Sequence, residues 1–362
     1  MQKKPRILLA LMGLNIGGVE THVVELAHGL QKEGYEPIVV SNGGVYVKSL
    51  EEINIKHYCV PLINKKPKNL IKSYYMLKNI ILDEKIDLVH AHARIPAFVL
   101  GKLHRRMKFP FVTTAHWVFV TNFWLKRLTD WGQVTLAVSN DIRTYLMKKY
   151  DVPAKQIKVT INGISTDKFT GSIDTKNIEK EFSIDSDKQH IVYMSRLDED
   201  RSLVAHHVLD IADEVCAVYP NVDFIIVGSG NDYQNIVKKA ALVNEKIGRR
   251  AIIMTGARTD VNAFVALAKV FIGVSRSALE AMAAKKPVII AGNEGYMGIF
   301  DKSKLQAAQL SNFTCRGEAM ADAEMLASDI FSLLELSDEE RTALGEFGKQ
   351  VVSEHYSISK MT

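Results

Sequence analysis

The sequence predicts an α/β protein built from two parallel-sheet domains, and three observations carry that expectation. Short apolar runs alternate with helical segments along the chain, the pattern of parallel strands covered by helices on both faces. The alternation pauses over a polar stretch, 165–188, and then restarts. The charge balance reverses at the same place: residues 1–165 hold 24 Lys and Arg against 12 Asp and Glu, whereas residues 166–362 hold 22 against 29. A chain of 362 residues, 47% of them hydrophobic, exceeds one ordinary core and can fill two. The expected organisation is therefore a first domain over 1–165, a linker over 166–188, a second domain over 189–336, and a C-terminal helix over 337–362 that returns toward the first domain.

The elements follow in order. In the first half, strands are expected at 7–12, 37–41, 56–60, 88–92, 111–115, 135–138 and 157–161. Between the first two, residues 20–32 place Val23, Leu26, Ala27 and Leu30 on one helical face, and Gly34 follows as a stop. In the second half, strands are expected at 191–194, 223–227, 252–255, 270–272 and 288–291. Two such sheets turn the carboxyl ends of their strands toward a central cleft, where ligands of open α/β sheets bind.

Composition narrows the function classes. No apolar run approaches the roughly 20 residues that a membrane-spanning helix needs. The basic N-terminus precedes a short apolar stretch, but Gly13 to Glu20 reads as a loop opening a helix, with no small-residue cleavage site. A cytoplasmic protein is expected. Cys59, Cys216 and Cys315 are scattered and lack CxxC spacing, so neither a disulfide framework nor a metal site is expected, and the thiols read as buried. The net positive first half suits an anionic partner. No helix-turn-helix, zinc-finger or stacked-aromatic pattern accompanies it, so no nucleic-acid partner is expected.

Several turns carry residues suited to chemistry. The first strand–helix turn contains Gly17-Gly18 directly before the helix, which lets backbone N–H groups approach an anion closely. The spacing is not GxGxxG, which disfavours a nicotinamide cofactor. After the strand at 191–194 come Arg196 and Arg201, two planar, permanently charged forks that suit a diphosphate. Asp198, Glu199 and Asp200 lie beside them, so a surface charge pair competes as a reading. Gly228 and Arg258 end the next two strands. Then come Gly273, Val274 and Ser275, followed by a helix containing Glu280. A carboxylate there can accept both hydroxyls of a ribose.

Taken in order, Gly17-Gly18-Val19-Glu20-Thr21-His22, Thr114-Ala115-His116, Val138-Ser139-Asn140, Asn162-Gly163-Ile164 before Phe169, Ser195-Arg196-Leu197 and Leu279-Glu280-Ala281-Met282-Ala283 resemble glycosyltransferase family 4. The resemblance implies the GT-B fold, two Rossmann-like domains facing a central cleft. It implies that Gly17 and Gly18 lie against the donor phosphate, that Arg196 supports the diphosphate, and that Arg201 stands where the family usually has a lysine. It further implies that Glu280 binds the ribose and that His116 contacts the transferred sugar, with a purely structural histidine as the competing reading. On the same side of the second sheet, Gly228, Arg258, Gly273, Val274 and Ser275 complete the substrate-binding set.

One position departs from the family. A second glutamate usually precedes the ribose acid by eight residues, but here that position is Ile272, in a loop that reads as shortened. The sugar hydroxyls then need other partners, such as backbone N–H groups at 273–275 or a turn at 295–298. The resemblance implies retaining, metal-independent transfer from a nucleotide-diphosphate sugar, UDP-sugar favoured, with the nucleotide sugar as co-substrate and no cofactor. The acceptor is expected to be a glycan or lipid-linked molecule in bacterial cell-surface polysaccharide synthesis. Two features suggest peripheral contact with an anionic membrane at its inner face: the lysines Lys65, Lys66, Lys68, Lys72 and Lys78, and the segment Trp117, Phe119, Phe123, Trp124, Lys126 and Arg127. A nucleotide-sugar 2-epimerase of the same fold, or a catalytically weak sugar-nucleotide-binding homologue, are the alternatives.

Overall fold

A computed structural model describes residues 4–118 and 121–362, the side chains of 124 and 125 excepted. Phe119 therefore lies outside the described residues, as does the side chain of Trp124. The chain divides into two compact units, Met1–Gly163 together with Ile358–Thr362, and Ile164–Ser357.

The first unit is a seven-stranded sheet of β1 (Arg6–Ala10), β2 (Glu36–Ser41), β3 (Lys56–Cys59), β4 (Leu88–Ala91), β5 (Phe111–Ala115), β6 (Val134–Ala137) and β7 (Ile157–Val159). Its order is β3-β2-β1-β4-β5-β6-β7 and every pairing is parallel. The apolar runs are continuous because both faces are covered. From β1, Leu8 and Ala10 pack with Leu77, Ile80, Leu100 and Leu103 on one side. Ile7 and Leu9 pack with Val23, Leu26 and Leu30 on the other. The order reverses between β1 and β4, which makes their carboxyl ends the natural ligand position of this sheet.

The second unit has a six-stranded sheet of β8 (Gln189–Met194), β9 (Val222–Val227), β10 (Ile252–Gly256), β11 (Ala268–Gly273), β12 (Val288–Gly292) and β13 (Gly295–Ile299), ordered β10-β9-β8-β11-β12-β13. Here the reversal falls between β8 and β11.

Four expectations need correction. Residues 295–298 are not a turn: β13 pairs antiparallel with β12, Ile289 opposite Ile299 and Ala291 opposite Tyr296. Its glycines mislead the periodicity, while Tyr296 is buried and its hydroxyl donates to the Met325 carbonyl at 3.1 Å. The polar stretch after residue 165 is part of the second unit rather than a free linker, because Phe169, Ile178 and Ile184 are buried within it and a helix forms over Lys176–Phe182. The helix Asp338–His355, opened by a Ser337–Glu340 capping box, also belongs to the second unit. Only the short helix Ile358–Met361 joins the first unit, where Met361 packs against the core on the Leu9 face. Finally, Cys59 is exposed, since it ends the edge strand β3, whereas Cys216 and Cys315 are buried.

Candidate active site

In the second unit, the sequence-predicted residues fall at the carboxyl ends of four neighbouring strands. Arg196 and Arg201 follow β8, Gly228 follows β9, Arg258 follows β10, and Gly273 ends β11. The loop carrying the two arginines is fastened to the one after β9. Leu197 N–H donates to the Ser229 carbonyl at 3.1 Å and Asp232 N–H to the Leu197 carbonyl at 2.9 Å. Glu199 N–H donates to Asn231 Oδ1 at 2.8 Å. Gly228 makes this approach possible. It sits at φ 146°, and a Cβ there would lie 1.9 Å from the Ser195 carbonyl oxygen. Behind the loop, the buried Asp232 carboxylate accepts from Ser202 Oγ at 2.6 Å and meets His206 Nε2 at 2.8 Å. The Ser202 and Asn235 donors bring its pKa down to about 2.

The cations are employed unequally. Arg196 reaches Asp198 at 2.5 Å with more than half of its side chain exposed, and Arg201 lies 3.8 Å from Asp200. Arg258 is held much more tightly: it donates to both oxygens of Glu181 and of Asp260 and lies over the Phe182 ring. That placement accounts for Arg258 as a clamp within its own unit.

Glu280 is not a solvated helix residue. It lies in the helix Ser275–Ala283, is buried, and its Oε1 accepts from the equally buried Arg276 Nε at 2.8 Å. The Arg276 partner was missed by sequence reasoning, although its spacing of four residues was a legible signal. Ile272 is fully buried in β11, so the strand continues through the position where an acid would otherwise stand. Beyond it the backbone bends sharply. Ser275 adopts φ 51°, and facing it Asn312, Phe313 and Cys315 adopt φ 55° to 60°. Ser275 N–H donates to the Phe313 carbonyl at 2.7 Å. Non-glycine residues held in this region cost about 1–3 kcal/mol each, and such strain clusters at ligand sites.

In the first unit, Gly17 precedes the helix Gly18–Lys32, which leaves the carboxyl end of β1. A Cβ at Gly18 would meet nothing within 4 Å, so no packing within the protein demands a glycine there. His92 follows β4 directly and His116 follows β5, while His22 lies on that first helix. The fold brings these three together, a grouping that sequence reasoning missed because 94 positions of chain separate His22 from His116. His92 Nδ1 lies 3.2 Å from His116 Nε2, and the His22 ring meets His116 edge-on at 4.6 Å between centroids. The His90 ring lies tilted against His92 at 4.0 Å between centroids, and its Nε2 meets Thr114 Oγ1 at 2.6 Å. Burial brings His90 and His116 down to about 3, and burial with the neighbouring imidazoles holds His92 well below the ordinary range. His90, His92 and His116 are thereby held neutral at pH 7.

Two doubly wound units, each with polar groups gathered where its strand order reverses, have the architecture of the GT-B fold. Residues 16–168 match Glycosyltransferase Family 4 and residues 174–351 match Glycosyl transferases group 1, and the chain belongs to this family. It is 24% identical over 247 residues to the phosphatidylinositol N-acetylglucosaminyltransferase GPI3 subunit of Saccharomyces cerevisiae, covering 63% of this chain. The match spans only 54% of that relative's length. It is also 24% identical over 324 residues to the alpha-monoglucosyldiacylglycerol synthase of Acholeplasma laidlawii, covering 79% of this chain and 78% of that one. The fold is shared with Anabaena Alr3699/HepE, solved in complex with UDP and glucose, at a TM-score of 0.75 and 16% identity, covering 98% of this chain and 96% of that one.

Proposed function

We propose that this protein transfers a glycosyl group from a UDP-sugar to a glycan or lipid-linked acceptor, with retention at the anomeric carbon and without a catalytic metal, in building a cell-surface polysaccharide. The observation that carries the reading is the pairing of two arginines, Arg196 and Arg201, in the loop after β8 with a buried carboxylate, Glu280, in the helix after β11, on either side of the reversal in strand order. Glu280 receives the ribose hydroxyls, with Arg276 holding its carboxylate in place. Arg196 and Arg201 leave their short-range acidic neighbours to grip the diphosphate, whose charge grows as the sugar departs. Preorganised donors of this kind are each worth roughly 3 kcal/mol of barrier. Gly17 and Gly18 receive phosphate oxygens on backbone N–H groups, and the open space at Gly18 supports that role. His116 offers a neutral imidazole to the sugar hydroxyls, a suitable partner for an uncharged hexose. The N-terminus of Ser275–Ala283 supplies donors in place of the acid replaced by Ile272.

The acceptor side draws on the helix Pro67–Asp83. Ile71, Tyr75 and Leu82 face outward from it with 59%, 61% and 54% exposure, and Lys65, Lys66, Lys68, Lys72 and Lys78 are exposed around them. Phe123, 61% exposed, lies under Arg127 at 4.9 Å. Apolar and aromatic tips among cations suit an anionic lipid surface. Among the described residues no helix is long and apolar enough to cross a membrane. The reading is tested by incubating the protein with UDP-sugars in EDTA, with and without a lipid-linked acceptor. Acceptor-dependent UDP release is expected. Conversion of the donor to its epimer without acceptor would assign an epimerase instead.

A further inference from the structure

Three of the first unit's histidines, His22, His92 and His116, converge in a way that no metal-binding spacing in the sequence announces. We propose that His22, His92 and His116 form a binding site for a borderline divalent cation of the zinc, cobalt or nickel type, and that its occupancy switches off the sugar subsite.

The geometry is the first reason. Each residue offers one nitrogen, and the three nitrogens lie within 4.8 Å of one another. Nitrogens bound about 2.0–2.1 Å from a tetrahedral ion stand about 3.3 Å apart. His92 Nδ1 and His116 Nε2, at 3.2 Å, already have that separation. Side-chain rotation of at most about 1.5 Å brings the third nitrogen into range. The ligands are also well anchored, because they leave a helix and the ends of two adjacent strands, β4 and β5.

The chemistry of the ligands is the second reason. The donor set selects the ion: three imidazoles suit zinc, cobalt, nickel and copper, while magnesium and calcium require oxygens. Three protein ligands leave a fourth position for water, reached past the half-buried His116.

The inhibitory consequence rests on the proposed function, because it assumes that His116 meets the donor sugar. An ion held by His116 occupies the nitrogen that the sugar hydroxyl needs. The chain is then active when metal-free and silenced by zinc.

The test uses the full chain after EDTA treatment. Cobalt titration should produce the visible bands of a tetrahedral site, and zinc calorimetry should give one equivalent. His22→Ala, His92→Ala and His116→Ala should each weaken binding at least tenfold, while His28→Ala leaves it unchanged and magnesium does not compete. His92→Gln, checked by circular dichroism, replaces His92→Ala if that variant fails to fold. Absence of saturable binding, or binding unchanged in folded His92 and His116 variants, overturns the site whatever the activity does. In the second arm, zinc should abolish UDP-sugar turnover and EDTA should restore it. One-to-one binding through these histidines with turnover unaffected leaves the metal site standing and removes His116 from the sugar subsite.

Discussion

The two units share one architecture and use opposite electrostatics at the same place in it. Where the strand order of the second sheet reverses, the side chains carry fixed charge: Arg196 and Arg201 beyond β8, and the buried Arg276–Glu280 pair beyond β11. At the equivalent reversal in the first sheet, the side chains are imidazoles that burial keeps neutral. Guanidinium retains its charge in nearly any setting, whereas imidazole gives it up when desolvated.

The largest effect is expected where that charge is buried. Glu280→Gln removes the carboxylate that accepts from the buried Arg276, and breaking a buried ion pair typically costs about 3–5 kcal/mol. Thermal melts should show a clear loss of stability, together with loss of UDP binding. A Glu280→Gln chain that melts normally and still binds UDP would show that the pair is not the anchor of the nucleotide.

Next comes the exposed charge. Arg196→Ala should lower turnover at least about a hundredfold, near 3 kcal/mol of barrier, with the fold intact, because its partner Asp198 is near the surface. Near-normal turnover in steady-state assays would remove Arg196 from the mechanism.

Acidification distinguishes the units in the other direction. Unfolded histidine titrates near 6.5, whereas folded His90 and His116 titrate near about 3. Between those values the unfolded chain binds protons that the folded first unit refuses, so its stability is complete above about pH 6.5 and declines as pH falls toward 3. Hydrogen exchange at pH 7.5 and pH 5 should show peptides from β4 and β5 losing protection before those from β9 and β10, whereas β8 carries His190, whose pKa burial also lowers, and shares some of the loss. Within the second unit, the low pKa of Asp232, at about 2, defers its loss to more acid conditions. Equal loss in both units would end the electrostatic distinction.

The smallest effect belongs to the surface. Replacing Lys68, Lys72 and Lys78 with Gln should weaken binding to anionic vesicles by about 1 kcal/mol per lysine, and leave turnover of a soluble acceptor unchanged. Flotation that is indifferent to these changes would move the lipid contact elsewhere.

Most of the fold was legible because its signals are local. The strand at Phe111–Ala115 was placed to the residue, and the other parallel strands to within a few residues, since apolar runs flanked by polar turns need no tertiary information. β13 was not legible, because Gly295 and Gly298 suggested a turn and only pairing with β12 makes the segment a strand. Residues 165–188 likewise read as a linker on polarity, while a few buried side chains, Phe169, Ile178 and Ile184, tie them to the second unit.

By itself the sequence determined the two parallel-sheet units, the family, and the order in which Gly17, His116, Arg196 and Glu280 occur, because these depend on periodicity and short motifs. Tertiary structure alone decided that Arg276 buries itself against Glu280, that Arg258 is clamped by Glu181 and Asp260, and that His22, His92 and His116 converge. Burial and convergence depend on strand order, which places β1, β4 and β5 side by side although some hundred residues of chain separate their ends. Neutrality at the first sheet and charge at the second follow from that placement.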